Sequence, residues 1–154
     1  EALDEHARSR VESWVDGMLR RRIFDEGDYY HQLVQVVLPL AQMGSVVIVG
    51  RGANFILRGH CQNLDVRIVA PLEDRIKRIG ERRNISRSEA EQEIRSSDTN
   101  RGKMMRRLFD REWDDPLAYH LVLNTGALCA DAAATIIETA WLQFALKCQP
   151  KTAG

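Results

Sequence analysis

The sequence VVIVGRGAN, residues 46–54, changes abruptly from β-branched apolar residues to glycines and an arginine. Four consecutive apolar residues bounded by Gly44 and Gly50 predict a strand over 46–49 that is buried on both faces, as in a parallel sheet. Ligands of open α/β sheets bind beyond the carboxyl ends of the strands, and glycines there let the backbone approach a ligand. Arg51 would offer a planar guanidinium to a phosphate or a base edge at that point.

Two other interpretations of this glycine-rich turn compete with a ligand site. The turn begins like the dinucleotide-binding sequence GxGxxG, but Phe55 occupies the position of the third glycine and no first-strand context supports the motif. The second interpretation is a tight turn that carries a surface arginine. The residues alone leave the ligand site and the plain turn open.

The flanking residues predict helices that alternate with strands. Apolar periodicity predicts helices over 3–22, 29–43, 72–83, 86–110 with a break near Gly102, and 131–147. Apolar runs predict two further strands, over 64–69 and 121–123. This alternation is typical of an α/β domain with a parallel sheet, and three strands make that sheet thin.

Capping residues set the ends of several predicted helices. Asp28 predicts the N-cap of the second helix, and Gly44 predicts its end. Pro71 suits the first turn of the next helix, while Ser86 and Glu89 form a capping box for the long one. The closing helix is expected to bury an apolar stripe of Ile136, Ile137, Ala140, Trp141 and Phe144.

The composition argues against several classes of protein. The 154 residues suit one domain, with 44% hydrophobic and 29% charged residues, as in ordinary globular proteins. The 22 basic and 22 acidic side chains cancel, which argues against a general nucleic-acid binder. No apolar run reaches the roughly 20 residues of a membrane span, and charges throughout the first residues are unlike a signal peptide.

Cysteine usage and the first residue bear on the setting of the chain. Cys61, Cys129 and Cys148 are widely spaced and form no CxxC pair, so we predict no zinc site and expect reduced thiols in a cytoplasmic protein. The chain begins with Glu1 rather than Met, and we therefore expect it to be part of a longer protein.

Two clusters carry charge in the second half of the chain. Arg95, Asp98 and Arg101 recur every three residues on one side of the predicted helix, where a solvated, salt-bridged surface is the plain interpretation. The basic residues Lys103, Arg106, Arg107 and Arg111 then alternate with apolar ones. Such a segment could close over a polyphosphate, grip single-stranded nucleic acid or form an ordinary amphipathic helix. The acids at 110, 112, 114 and 115 weaken the nucleic-acid interpretation.

In their order and spacing these segments resemble the cytidylate kinase-like family, relatives of bacterial cytidylate kinase. The resemblance is carried by residues 29–43, 47–54, 66–75, 98–101 and 119–125, and it covers nearly the whole chain. It implies a single domain over 1–154 with an α/β three-layer P-loop-kinase-like fold, a parallel sheet flanked by helices. It also implies a lid-like segment over 95–115.

The resemblance assigns the turn at 50–54 to the acceptor nucleotide. Cytidylate kinases hold the pyrimidine nucleotide with a Gly-Arg-Asp that follows a strand, so Gly50 and Arg51 would bind it here. Gly52 replaces the aspartate whose carboxylate accepts from the cytosine amino group, which predicts weak selectivity for cytosine. Asn54 would then be the next residue able to read the base.

The family's lid motif, Arg-Asp-x-x-Asp-x-x-Arg, is matched at Arg95, Asp98 and Arg101, with Ser96 in place of the first aspartate. By this resemblance Asp98 would hold the ribose hydroxyls, and Arg95 and Arg101 would bind phosphates as catalytic residues. The further lid candidates for phosphate are Lys103, Arg106 and Arg107, and the candidates near the donor adenine are Asn124 and Thr125.

One motif that such a kinase requires is not found in the 154 residues. The sequence G-x-x-x-x-G-K-[ST] supplies the phosphate-binding loop, and the one Gly-Lys pair here, at 102–103, is followed by Met104. The family places that loop ahead of the region matched by residues 1–45, so we expect the domain to be N-terminally incomplete. The resemblance implies phosphorylation of CMP or dCMP by ATP with Mg²⁺ in the parent enzyme, no metal ligand in this chain, and no turnover by this chain alone.

Two other functions stay open on the sequence. The first is a non-catalytic module, derived from a kinase, that binds a nucleotide or a partner protein. The second is a nucleic-acid-binding domain built on residues 101–111. A sheet edge left by a missing strand would also favour dimer formation, so a homodimer stays open.

Overall fold

The computed structural model describes residues 26–60 and 62–147. The helices are α1 Glu26–Met43, α2 Ala53–Leu57, α3 Leu72–Arg83, α4 Arg87–Phe109 and α5 Ala130–Lys147; the strands are β1 Val66–Val69 and β2 Leu121–Asn124, and a 3₁₀ turn covers Pro116–Ala118. The helix predicted over 3–22 lies outside the described residues. The chain divides into two compact units, Glu1–Gln35 and Val36–Gly154; α1 has residues in both, whereas the sheet, the other helices and the candidate site belong to the second.

The fold is α/β, with a small parallel sheet and flanking helices. β1 pairs with β2 in parallel, from Val66 opposite Leu121 to Val69 opposite Asn124. The connection between them contains α3 and α4, since parallel strands need a crossover. The ladder continues for one residue, because the Thr125 N–H donates to the Val69 carbonyl at 2.8 Å. The predicted parallel α/β arrangement is therefore confirmed.

The predicted strand over 46–49 is wrong. These residues have no regular secondary structure, and Val47 and Val49 are 90% and 87% exposed. A strand exists only as part of a hydrogen-bonded ladder. Within residues 26–60 and 62–147 the sheet consists of β1 and β2, so segment 46–49 has no strand beside it to pair with.

Two predicted helix features also differ from the structure. Asp28 lies inside the described part of α1 rather than at its N-cap. α4 runs unbroken through Gly102, which is buried. A Cβ at Gly102 would lie 3.5 Å from the indole Nε1 of Trp113, so this glycine serves close packing rather than a break.

The α3–α4 hairpin contains a compact apolar cluster. Ile76, Ala90 and Ile94 are buried at its centre, and half-buried Leu72, Ile79 and Ile85 surround them. The predicted capping box is present: the Ser86 Oγ accepts from the Glu89 N–H, and the Glu89 carboxylate accepts from the Ser86 N–H at 2.8 Å. This hairpin holds the first half of α4, and with it Asp98, at a fixed position.

The closing helix buries less than its pattern predicts. Ile136 and Trp141 on the expected stripe of α5 are 37% and 42% exposed, because no neighbouring element among the described residues covers them fully. Ala133 is buried one turn earlier. In the described part of the chain, the helices lack the combination of length and apolar character that a bilayer span requires.

Candidate functional site

The glycine-rich turn at 50–52 has a left-handed backbone throughout. The φ angles of Gly50, Arg51 and Gly52 are +78°, +58° and +68°. Glycine adopts this region freely, whereas a residue with a side chain pays about 1–2 kcal/mol. The turn closes when the Ala53 N–H donates to the Gly50 carbonyl at 3.2 Å, and α2 begins there. Backbone strain at a non-glycine residue is typical of functional turns, and Arg51 is the residue that bears it.

Gly52 packs against the end of α4. A Cβ built on it would lie 2.4 Å from Phe109 Cε2 and 3.3 Å from Met105 Sδ. The Phe109 ring is itself held against Phe55, with ring centroids 5.3 Å apart. The position where the resembled family has an aspartate is therefore filled by the Phe109 ring, and a carboxylate there would displace it.

The contact with Gly52 identifies the side of α4 that faces the turn. Arg101, Met105 and Phe109 are spaced four residues apart, so they lie along one face of the helix. Arg101 is thus on the same face as the two residues that touch Gly52, two turns further from the end of α4. Arg51 is next to Gly52 and half-buried. That the two arginines share one ligand stays a prediction.

Asp98 is the centre of the charge network on α4. Its carboxylate accepts two hydrogen bonds from Arg75 of α3, at 2.7 and 2.8 Å, and one from Arg101 at 3.1 Å. The Asp98 side chain is 27% exposed. The hydrogen bonds from Arg75 are the main cause that lowers the pKa of Asp98, so the carboxylate is ionised and oriented.

Sequence reasoning missed Arg75. This residue ends the segment 66–75 that carries the family resemblance, but it is 23 residues from Asp98. Helical periodicity relates residues three or four positions apart, so it could not pair Arg75 with Asp98. The signal that could have found it is the antiparallel packing of α3 on α4, which brings the last residue of that segment beside the predicted ribose carboxylate.

We predict that Asp98 contributes stability that depends on pH. Because folding lowers its pKa, the contribution is present above the ordinary value of 3.8 and is lost as the pH falls through the lower, folded-state pKa. Asp98→Asn should lower the free energy of unfolding at neutral pH by about 1–2 kcal/mol. It should also remove this pH-dependent step.

Urea denaturation between about pH 2 and pH 7 measures both effects of Asp98→Asn. Glu73→Gln is the matched control, since Glu73 forms an exposed pair with Arg87 at 2.7 Å and its substitution should change stability little. Equal stability of Asp98→Asn and the unmodified chain at neutral pH would contradict the network's role in holding α3 on α4.

The structure does not bring Arg95 together with Asp98 and Arg101. Its guanidinium donates to Glu91 on the preceding turn, at 2.9 and 2.7 Å, in an exposed i, i+4 pair. The spacing of the motif Arg-Asp-x-x-Asp-x-x-Arg explains why Arg95 lies apart. The first arginine of that motif stands four residues before the second aspartate, which Asp98 matches. That position here is Ile94, which is buried. Arg95 therefore lies on a solvated, salt-bridged surface of the helix, which is the plain interpretation of its sequence.

The remaining lid candidates lie on the exposed side of α4. Lys103, Arg106 and Arg107 are exposed, whereas Met105 between them is buried. Arg106 is paired with Glu112 beyond the helix end at 2.7 Å. The predicted lid-like segment over 95–115 is thus the second half of a continuous amphipathic helix and the loop that follows it.

Asn124 and Thr125 lie at the carboxyl end of β2, as predicted, and make local contacts. The Asn124 Oδ1 accepts from the Gly126 N–H at 2.9 Å. The Thr125 hydroxyl donates to the Val69 carbonyl at 3.2 Å and accepts from Arg78 at 3.0 Å. These contacts place the turn against α3, at the edge of the sheet where α/β proteins bind ligands.

Two polar features near the turn and α4 were not predicted. The amide Nδ2 of Asn54 is buried without a hydrogen-bond partner among the described residues. Trp113 contacts two arginines: the guanidinium carbons of Arg67 and Arg101 lie 4.6 and 4.8 Å from its ring centroid. An aromatic ring at such distances attracts a guanidinium.

Most of this chain is similar to known proteins. Residues 1–127 match the Cytidylate kinase-like family. A cytidylate kinase of Methanocaldococcus jannaschii is 29% identical over 105 residues, which are 67% of this chain and 59% of that protein. A crystal structure of an uncharacterized protein from Eubacterium ventriosum superposes with a TM-score of 0.71 at 22% identity, over 75% of this chain and 66% of that one. The chain thus spans about three fifths of the first relative and two thirds of the second.

Proposed function

This chain belongs to the cytidylate kinase-like family, and from that premise we propose that it carries the acceptor site of a nucleoside-monophosphate kinase. The reaction of the parent enzyme would be the transfer of a phosphoryl group from ATP to CMP or dCMP in the cytoplasm, and residues 1–154 would be the part of that kinase domain that binds the acceptor. The turn at 50–54 and the face of α4 that bears Arg101 form the site. The proposal assigns nucleotide binding to this chain.

The observation that carries the proposal is the network at Asp98. An ionised, oriented carboxylate beside two guanidiniums suits a nucleoside monophosphate, because ribose hydroxyls donate hydrogen bonds and phosphate oxygens accept them. We assign the ribose to Asp98 and the phosphate to Arg51 and Arg101. Arg75 orients Asp98. Arg95 receives no phosphate in this assignment, because Glu91 engages it.

An NMR titration with CMP tests this assignment. Amide resonances of residues 50–54 and 98–101 should shift as CMP is added, since both segments would contact the nucleotide. Side-chain Nε–H resonances of Arg51 and Arg101 should shift as well, because their donors exchange water for phosphate. Shifts confined to other parts of the chain would contradict the proposed site.

Within 26–60 and 62–147, the His, Cys, Asp and Glu side chains form no group of three that could hold a metal ion. Mg²⁺ in kinases is typically bound by the nucleotide phosphates and one or two carboxylates, so it would enter with ATP. When bound, Mg²⁺–ATP supplies the phosphoryl group and neutralises its charge; the residues of this chain bind and orient the acceptor.

We predict weak discrimination between pyrimidine bases. Gly52 offers no side chain to the cytosine amino group, and Phe109 fills the space that a carboxylate would need. A site that lacks a hydrogen-bond partner for a substrate group cannot strongly reject an analogue that differs there. CMP and UMP should therefore bind with dissociation constants that differ by less than about a hundredfold, about 2.7 kcal/mol.

Isothermal titration calorimetry with CMP and UMP measures this ratio. A preference larger than a hundredfold would mean that another residue reads the base. Asn54 is then the residue to test, because its buried amide has unused donors among the described residues. Asn54→Ala would abolish a preference that comes from that amide and would leave one from any other source unchanged.

A further inference from the structure

Trp113 connects α4 to the sheet through two arginines. The guanidinium carbon of Arg101 lies 4.8 Å from the indole centroid. The guanidinium carbon of Arg67 of β1 lies 4.6 Å from the same centroid. Both distances are within the range of cation–π attraction. The indole therefore bridges a strand of the sheet and the arginine assigned to the nucleotide phosphate.

Trp113 is itself fixed in place. Its backbone carbonyl accepts from the Tyr119 hydroxyl at 2.6 Å and from Arg67 Nη1 at 3.1 Å. The indole Nε1 lies 3.5 Å from the point where a Cβ on Gly102 would be, so the edge of the ring packs on the buried backbone of α4. Hydrogen bonds at the backbone and packing at the ring hold the residue from both ends.

Arg101 needs such a support. Its Nη1 donates to Asp98 at 3.1 Å, and its side chain is 43% exposed. An arginine has five N–H donors, so donors remain that could bind an anion. A long, partly exposed side chain loses rotamer freedom when it binds a ligand, and holding it in the bound orientation beforehand reduces that loss.

We propose that Trp113 is a positioning residue that holds the Arg101 guanidinium ready for the nucleotide phosphate. The proposal rests on the function proposed above and adds a residue outside the segments that carry the family resemblance. Trp113 acts through Arg101 and touches no ligand. Tyr119 and Arg67 act one step further back, because they fix Trp113.

A double-mutant cycle on the full 154-residue chain tests this role, with CMP binding measured by calorimetry. Trp113→Leu should weaken CMP binding by about 3–10-fold, since it removes the ring contact and leaves Arg101 mobile. Trp113→Phe keeps an aromatic ring and should restore most of the affinity. In the Arg101→Ala background, Trp113→Leu should change the affinity by less than about twofold, because nothing remains to position.

The outcomes separate this proposal from the function on which it rests. Equal weakening by Trp113→Leu in both backgrounds would show a general structural role and overturn it, as would no weakening in the unmodified background. If the unmodified chain binds no CMP, the proposed function fails and takes this inference with it. Should Trp113→Leu not fold, Tyr119→Phe replaces it, because it removes the hydroxyl that holds the Trp113 carbonyl. Unchanged CMP affinity in Tyr119→Phe would then overturn the proposal.

Discussion

The purified 154-residue chain is expected to transfer no measurable phosphate from ATP to CMP. Phosphoryl transfer needs little covalent chemistry from the protein, and its acceleration comes from positioning and from charge placed against the transferring group. The loop G-x-x-x-x-G-K-[ST] supplies backbone N–H groups, a lysine and a hydroxyl for Mg²⁺, and the 154 residues contain no such sequence. A single arginine finger is worth about 10³–10⁵ in rate in related GTPases, and loss of the whole loop should cost at least as much.

A coupled assay of ADP release measures this turnover. CMP binding by the same preparation is the control, because it shows that the acceptor site is folded when no turnover is seen. Arg101 attracts phosphate equally in the ground and transition states unless the donor is held in line, and uniform attraction does not accelerate the reaction. CMP-dependent ADP release from the isolated chain would contradict the expectation, and the turn at 50–52 would then be the first place to search for a phosphate-binding element.

Arg101→Ala is expected to give the second large effect, a loss of CMP affinity. Hydrogen bonds to charged groups contribute about 1.5–3 kcal/mol, which corresponds to roughly 10–150-fold in the dissociation constant. The substitution also removes one of the three hydrogen bonds that orient Asp98, so the loss should lie toward the upper end. Arg101→Lys keeps the charge but loses the planar guanidinium, and should retain part of the affinity.

The matched control for Arg101→Ala is Arg83→Ala. Arg83 is also an ion-paired arginine of the same hairpin, bound to Glu93 at 2.8 Å, but it lies at the end of α3 and has no place in the proposed site. The Arg83→Ala substitution removes the same charge. It should leave CMP affinity within about twofold, since Arg83 lies outside the proposed site and its exposed ion pair contributes little to stability. Equal losses in both variants would mean that net charge, rather than the guanidinium of Arg101, controls binding.

Much of the local structure could be predicted from the sequence because its causes are local. The bounds of α3 and the capping box at Ser86 follow from apolar spacing and from residues within one turn of each helix end. Apolar runs also predicted the two parallel strands, over 64–69 and 121–123, where the structure has 66–69 and 121–124. The prediction for segment 46–49 failed for a non-local reason. Its apolar residues indicate that the segment suits a sheet, but they do not indicate whether a partner strand lies beside it. A strand forms only when two segments pair, and the residues of one segment do not identify the other.

The same limit applies to the candidate site. Asp98 and Arg101 are three residues apart on a helix, so the sequence could place them together. Arg75 and Trp113 join them from other elements, and only the packing of α3 on α4 and the return of the chain after α4 reveal them. Gly102 looked like a helix break because the sequence does not show the indole that packs on it.

Calorimetric titration of CMP against cytidine tests the central claim most directly, because the two ligands differ only in the phosphate assigned to Arg51 and Arg101. The chain is expected to bind CMP at one site and to bind cytidine at least about tenfold more weakly, the effect of one charge-assisted contact of about 1.4 kcal/mol. Equal affinity for the two ligands, or no binding of CMP, would contradict the claim that this chain carries a nucleoside-monophosphate site.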